Sequence, residues 1–490
     1  MEPSPRTALE SPARRVSDYP GIPRVPDDSA YRSQLKAQSR ASGTFGDLTP
    51  LQFAVAALIL ISIGRAHDHI SILAAVRPAL LLTASCLLIA IVRPKAISIT
   101  NLTHPWPPKA IGALLATALA ASVFGLSFGS SASYLLSSYF PILTLFCLTT
   151  LTIRRSFDLQ WIIGAYVLSV VVVSFASIFL SQPVYIGGSV RQGGAGMYDG
   201  NDIGVVLMVG LPFAMILLRS RHRFFQGLAA LAILGALVSL VLAASRGGFL
   251  GLIAGGAAIL FLSPGLRGLS KLGIAVTAVL SFAFLAPETY RSQMSTILNP
   301  QEDYNITSAT GRLAIWTRGL GYVQEYPIFG VGPDNFIRAG WTLSDQGQAG
   351  LFGAGLRAQA PHNTFLQVWT EMGTVGLLVW LFILGWGLAY PLYLRRKMPR
   401  SWLARGSPQQ RLVYLSSSYL PASFIGFAVT SFFVSHAYTA IFYVMVAIAT
   451  GFVVVARQEL RRARESNVPT LGRQSHRRHP STRVIDRGNK

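Results

Sequence analysis

Residues 202–263 read DIGVVLMVGLPFAMILLRSRHRFFQGLAALAILGALVSLVLAASRGGFLGLIAGGAAILFLS. Three apolar runs, 202–218, 225–244 and 247–263, are separated by two short breaks. Each run approaches the roughly 20 residues that a helix needs to cross a bilayer. The first break, Arg219-Ser220-Arg221-His222-Arg223, is basic, and the second, Ser245-Arg246-Gly247-Gly248, is a tight turn with one arginine. An amphipathic surface helix would show a polar stripe; these runs are apolar all round, as spans are. The stretch therefore predicts an all-α polytopic membrane protein.

Outward from it, similar runs occur at 49–64, 73–92, 110–127, 132–153, 160–182, 271–286, 373–394, 412–434 and 437–456. That makes twelve predicted transmembrane helices, the first and eighth short and the second with Arg77 near one end. The composition agrees: of 490 residues 51% are hydrophobic and 13% charged, where soluble proteins carry about 25% charged residues. Mean hydropathy is +0.45. Cys86 and Cys147 both fall inside apolar runs and read as small buried side chains.

The net charge of +22 would suggest nucleic acid on a soluble chain, but its distribution points to topology. With both termini cytoplasmic and twelve alternating spans, 33 of the 42 lysines and arginines fall on the cytoplasmic side, as the positive-inside rule requires. Shifting the register by one span would place the arginine-rich short loops outside. No nucleic-acid partner is expected. The polar start of the chain does not read as a secretory signal peptide, so the first apolar run must direct insertion. The expected organisation is a disordered cytoplasmic N-tail over 1–48, helices one to nine over 49–286, and a large outer loop over 287–361. Helices ten to twelve follow over 362–456, then a basic disordered C-tail over 457–490, for which contact with anionic membrane lipid is one reading and a solvated tail the other.

The outer loop, with six acidic and five basic residues, is not a topological signal, and a loop of that length is usually functional. Leu313, Trp316, Leu320 and Val323 recur at helical spacing before Tyr326-Pro327, which predicts an amphipathic helix over 309–325 at the membrane surface.

Ionisable groups are nearly absent from the centres of the spans, which argues against a proton-coupled transporter. They gather on the outer face instead: Arg191 in a glycine-rich loop, Asp199-Gly200-Asn201-Asp202 at the mouth of the sixth span, Arg246, Arg312 and His362. Each has a plainer reading. Arg191 and Arg246 can be interfacial anchors, Arg312 can pair with an acid on its own loop, and a lone histidine is more often structural than catalytic. Against that, several arginines around one outer cavity suit a pyrophosphate. A histidine can take a proton at neutral pH. No spacing typical of a zinc or magnesium site is visible in this loop, so the expected chemistry is metal-independent and needs no cofactor.

The pattern resembles the O-antigen ligase and polymerase family of bacterial envelope glycosyltransferases. The resemblance rests on Arg191 with Asn201, on Ser245-Arg246-Gly247, and on Gly311-Arg312-Leu313-Ala314-Ile315-Trp316 followed by Gly330-Val331-Gly332-Pro333-Asp334-Asn335-Phe336. Pro361-His362-Asn363-Thr364-Phe365-Leu366 and Glu371-Met372-Gly373-Thr374-Val375-Gly376 complete it. It covers roughly 185–380 and implies glycan transfer from undecaprenyl pyrophosphate on the periplasmic face of the bacterial inner membrane. The acceptor would be lipid A–core for a ligase or a growing polysaccharide for a polymerase. On that analogy Arg191, Arg246 and Arg312 hold the donor pyrophosphate and His362 activates the acceptor hydroxyl, with Asn201, Trp316 and Asn363 in support. A flippase for lipid-linked oligosaccharide and a scaffolding membrane protein are the readings from other classes.

Overall fold

The computed structural model describes residues 45–103, 105–186, 189–192, 198–299, 301, 308, 311–349 and 359–467. The two tails expected to be disordered lie largely outside these. Nine described helices are long and apolar enough to cross a membrane: Trp106–Phe124, Phe128–Thr152, Ser156–Leu180, Gly200–Leu218, Arg223–Ala243, Gly268–Leu285, Thr364–Arg396, Pro408–Ser431 and Ala440–Glu465. Three shorter apolar helices, Pro50–Gly64, Pro78–Val92 and Arg246–Leu262, fall on the remaining apolar runs. Apart from these, short helices and turns, the described chain contains one antiparallel pair of strands, Pro183–Ile186 and Ser189–Gln192.

Helix starts follow ordinary capping chemistry. Thr49, Asp199 and Ser407 each form a reciprocal box with the residue three positions on (Gln52, Asp202 and Gln410). Ser245 and Asn363 cap the helices that follow them by accepting from Gly248 N–H and Leu366 N–H. Such a side chain satisfies one of the amides that a helix start leaves unpaired.

Helix Gly200–Leu218 is the hub, packed against Pro408–Ser431, Arg223–Ala243, Arg246–Leu262 and Ser156–Phe175. Lipid supplies no hydrophobic contrast, so helices in a membrane associate through close backbone approach and scattered hydrogen bonds. A Cβ on Gly204 would stand 3.1 Å from Gly248 Cα, and one on Gly426 would stand 2.8 Å from the Met208 carbonyl oxygen. Ser423 Oγ donates to the Val209 carbonyl at 2.9 Å, and Tyr443 bonds Tyr139 through their hydroxyls at 2.8 Å. At the periphery, Gly268–Leu285 has no buried residue and turns Leu269, Leu272, Phe284 and Leu285 outward.

Three boundaries differ from the sequence reading. The amphipathic helix starts at Arg312 rather than 309, after the Gly311 cap. The last helix continues past 456 to Asn467, an Arg- and Glu-rich extension in which Arg462 pairs with Glu459. The tenth apolar run begins as helix at Thr364, not 373, because Asn363 caps it. That helix breaks at Gly373 (φ +66°, ψ −171°), and residues 327–332 run along the break. Val331 N–H donates to Thr370 O, Gly332 N–H to Glu371 O and Thr374 N–H to Pro327 O, at 2.8, 3.1 and 2.9 Å. Backbone groups freed by the break are thus paired within protein, as an apolar surrounding demands.

Candidate functional site

The break and the Asn363 cap place His362 where the segment ahead of helix Thr364–Arg396 meets the bundle. His362 adopts φ +47°, a left-handed conformation that is uncommon for any residue with a side chain and tends to persist at functional sites. Its backbone N–H donates to Ser435 Oγ at 3.0 Å. The neighbouring segment is laced on by further bonds. Thr364 Oγ1 donates to Val434 O and accepts from His436 N–H, at 2.7 and 2.9 Å, and Ala437 N–H donates to Gln367 Oε1 at 3.2 Å. Residues 434–437 therefore form a fixed collar beside His362.

Two further elements close on this histidine. From helix Arg312–Glu325, the Arg312 guanidinium lies over the Phe433 ring, 5.7 Å from its centre, within cation–π range. One turn on, Trp316 packs edge-on against Phe432 and donates Nε1–H to Pro361 O at 2.9 Å. From the start of helix Gly200–Leu218, Asp199 caps Asn201 and Asp202 N–H at 2.7 and 2.9 Å. Asn201 Oδ1 accepts from Ser245 Oγ at 2.7 Å, which ties this corner to the turn holding Arg246. Asp202 Oδ1 accepts from His436 Nε2 at 3.0 Å.

Burial holds the pKa of His362 below the usual histidine value, and the positive charge of Arg312 pushes the same way; Asp199 and Asp202 oppose both. Burial and Arg312 thus favour the neutral imidazole, the form able to accept a proton, and the guanidinium is able to neutralise an anion.

The remaining sequence-named residues are placed as follows. Arg246 opens helix Arg246–Leu262 and donates to Thr296 Oγ1 at 3.0 Å. Arg191 lies on the second strand, paired with Val184, and only its backbone is among the described residues. That strand packs beside helices Arg223–Ala243 and Glu288–Ser295, the latter just ahead of the threonine that Arg246 holds. Arg312, Trp316, His362 and Asn363 form one constellation, Asn201 joins it through its neighbour Asp202, and Arg246 and the backbone of Arg191 stand on adjoining elements.

Three polar residues with no assigned role in the sequence reading prove to be built in. Asp202 and His436 are 234 positions apart and meet directly. Glu371, only 2% exposed, accepts from Phe336 N–H at 3.4 Å. The signal available for Asp202 is its place three residues after an N-cap aspartate; for His436 it is a polar residue in the short gap between two spans. A cavity of about 250 Å³, lined among others by Arg221, His222, Gln160 and Phe157, lies at the opposite ends of these helices and takes no part in this constellation.

Residues 231–381 match the protein family described as O-Antigen ligase. The chain is also similar to an uncharacterized protein of Haemophilus influenzae, 28% identical over 165 residues, which cover 31% of this chain and 40% of that protein. The chain thus matches less than half of that relative's length. The family match supports the resemblance to O-antigen ligases and polymerases, and the nine described helices long and apolar enough to cross a membrane fit a multi-pass membrane protein. The matched region contains Arg246, Arg312, His362 and Glu371, whereas Arg191, Asn201, Asp202 and His436 fall outside it.

Proposed function

We propose that the chain, whose residues 231–381 match the O-antigen ligase family, is an integral-membrane glycosyltransferase of the ligase type. It spans the bacterial inner membrane twelve times and moves a glycan from undecaprenyl pyrophosphate to lipid A–core on the periplasmic face. The observation that carries this reading is His362 fixed in a left-handed conformation just before the Asn363-capped start of helix Thr364–Arg396, with the helix that Arg312 opens tied to Pro361 through Trp316.

In this reading His362 takes the proton of the acceptor hydroxyl as the hydroxyl oxygen bonds to the anomeric carbon of the donor sugar. The bond from that carbon to the pyrophosphate oxygen breaks, and the electron pair leaves on the pyrophosphate. Arg312, with Arg191 and Arg246 further along the lipid-linked donor, neutralises the developing phosphate charge. Donor groups fixed in advance act where charge develops, and a guanidinium fork matches phosphate oxygens better than an ammonium does. The donor brings its own leaving group, which a transfer reaction outside the cytoplasm requires.

The test compares purified wild type with His362→Ala in detergent, using lipid-linked oligosaccharide with and without lipid A–core. Lipid A–core that gains glycan with wild type and not with His362→Ala supports the ligase. A ladder of longer lipid-linked chains without added acceptor would make the protein a polymerase. Donor binding with no product from wild type would sink both in favour of a flippase.

A further inference from the structure

We propose that Asp202, held in place by His436, is a positioning residue for His362: its carboxylate stabilises the positive charge that His362 gains on taking the acceptor's proton. This rests on the proposed role of His362 and deepens it.

The observations begin with a surplus. A helix-capping box needs one carboxylate oxygen of Asp202, and Oδ2 supplies it by accepting from Asp199 N–H at 2.9 Å. The other oxygen is engaged separately by His436 Nε2 at 3.0 Å. His436 is itself immobilised: it is 3% exposed, its Nδ1 shares a hydrogen bond with Thr439 Oγ1 at 3.0 Å, and its backbone N–H donates to Thr364 Oγ1. Thr364 is two residues from His362, whose own N–H is bonded to Ser435, the residue before His436. One short collar therefore grips both the backbone of the proposed base and the carboxylate near it.

A carboxylate in the first turn of a helix also sits at the positive end of the helix dipole, which favours its ionised form. The charged groups that bear on His362 are Arg312 from the amphipathic helix and Asp199 and Asp202 from the start of helix Gly200–Leu218; the imidazole of His436, from the collar, is bonded to Asp202. Arg312 opposes protonation of His362, and the two carboxylates favour it. Asp199 bears on His362 at least as strongly, but it is exposed and its charge is screened by water, whereas Asp202 is clamped at both oxygens by protein groups and keeps its place as His362 becomes charged. The proton moves from the acceptor oxygen to a ring nitrogen of His362 and stays there during transfer; Asp202 receives none.

The experiment follows kcat/KM against pH for transfer to lipid A–core by the full-length protein. Wild type, His362→Ala, Asp202→Asn, His436→Ala, His436→Gln and the Asp202→Asn/His436→Ala double variant are compared, each eluting as a folded species on gel filtration. Asp202→Asn is expected to lower kcat about tenfold, part of the ~10²–10⁴ that acid–base catalysis contributes, with the donor KM little changed. Its acid limb should move to lower pH, because His362 loses a group that favoured its protonation. His436→Gln, which keeps a donor for Asp202, should recover much of what His436→Ala loses. The double variant should be little worse than Asp202→Asn alone, since both changes remove one interaction. An acid limb that stays in place in Asp202→Asn, whatever the activity, would overturn the proposal and leave a structural staple. Wild-type transfer by His362→Ala would instead overturn the reading of His362 on which it stands.

Discussion

Trp316 donates its indole N–H to the carbonyl oxygen of Pro361, the residue before His362, across 2.9 Å. The bond joins the amphipathic helix to the mouth of the tenth apolar helix, so the spacing between Arg312 and His362 depends on it. Trp316→Phe keeps an aromatic ring against Phe432 and removes only the donor. A hydrogen bond of this kind contributes about 0.5–1.5 kcal/mol, so transfer is expected to fall by roughly two- to thirteenfold. The thermal midpoint of the detergent-solubilised protein should stay close to wild type. Unchanged kcat in Trp316→Phe would show that the bond does not set the spacing of the site.

Arg312 should affect transfer in two separable ways. As a fork for pyrophosphate it cannot be replaced by lysine without loss of paired contacts, so Arg312→Lys should transfer very poorly while still inserting. As a positive charge it lowers the pKa of His362. Arg312→Ala removes that charge, so His362 stays protonated to higher pH and the acid limb of kcat/KM moves upward; Arg312→Lys leaves the limb near its wild-type place. The pH profiles of residual activity in the two variants check this. A limb that moves downward in Arg312→Ala would contradict the sign.

Much of this arrangement is legible in the amino-acid sequence. Apolar runs of spanning length are a local property, and every run read from the sequence holds a helix. The Asn363 cap is a local signal too, yet Thr364–Met372 mixes Gln367, Trp369 and Glu371 into an apolar segment and hides the true helix start. The Gly187-Gly188 pair between two short β-prone segments is likewise a hairpin signal. Two things are not legible. The break at Gly373 depends on residues 327–332 arriving beside it, and the bond between Asp202 and His436 depends on two helix ends meeting across 234 positions. No spacing rule encodes either.

The break itself predicts a sharp contrast between two glycines of one helix. Gly373 has φ +66° and ψ −171°, and a Cβ there would collide with the Ile328 carbonyl. Such a conformation costs a residue with a side chain roughly 1–3 kcal/mol, before the collision is counted. Gly385, further along, has no atom within 4 Å of where its Cβ would stand, and alanine is the better helix former by about 1 kcal/mol. Gly373→Ala should therefore lower the thermal midpoint by several degrees or abolish recovery of monodisperse protein, while Gly385→Ala leaves it equal or raised. Equal midpoints for the two would mean that the helix does not break at Gly373.

The proposed orientation can be tested from the face opposite His362. There arginines interlock: Arg411 Nε donates to Arg219 O at 2.9 Å, Arg219 Nη2 to Pro264 O at 2.7 Å, and Arg395 Nη1 to Leu262 O at 3.1 Å. Basic residues near span ends resist translocation, so this face should be cytoplasmic and the His362 face periplasmic. In a background with Cys86 and Cys147 replaced by serine, Gln348→Cys on the outer segment should react with a membrane-impermeant maleimide in cells whose outer membrane alone is permeabilised. Lys397→Cys on the basic face should react only after the inner membrane is opened. Both positions are exposed, so protection reports the side of the membrane rather than packing. The reverse pattern would put His362 in the cytoplasm, and a glycan donor presented on the periplasmic face could not reach it.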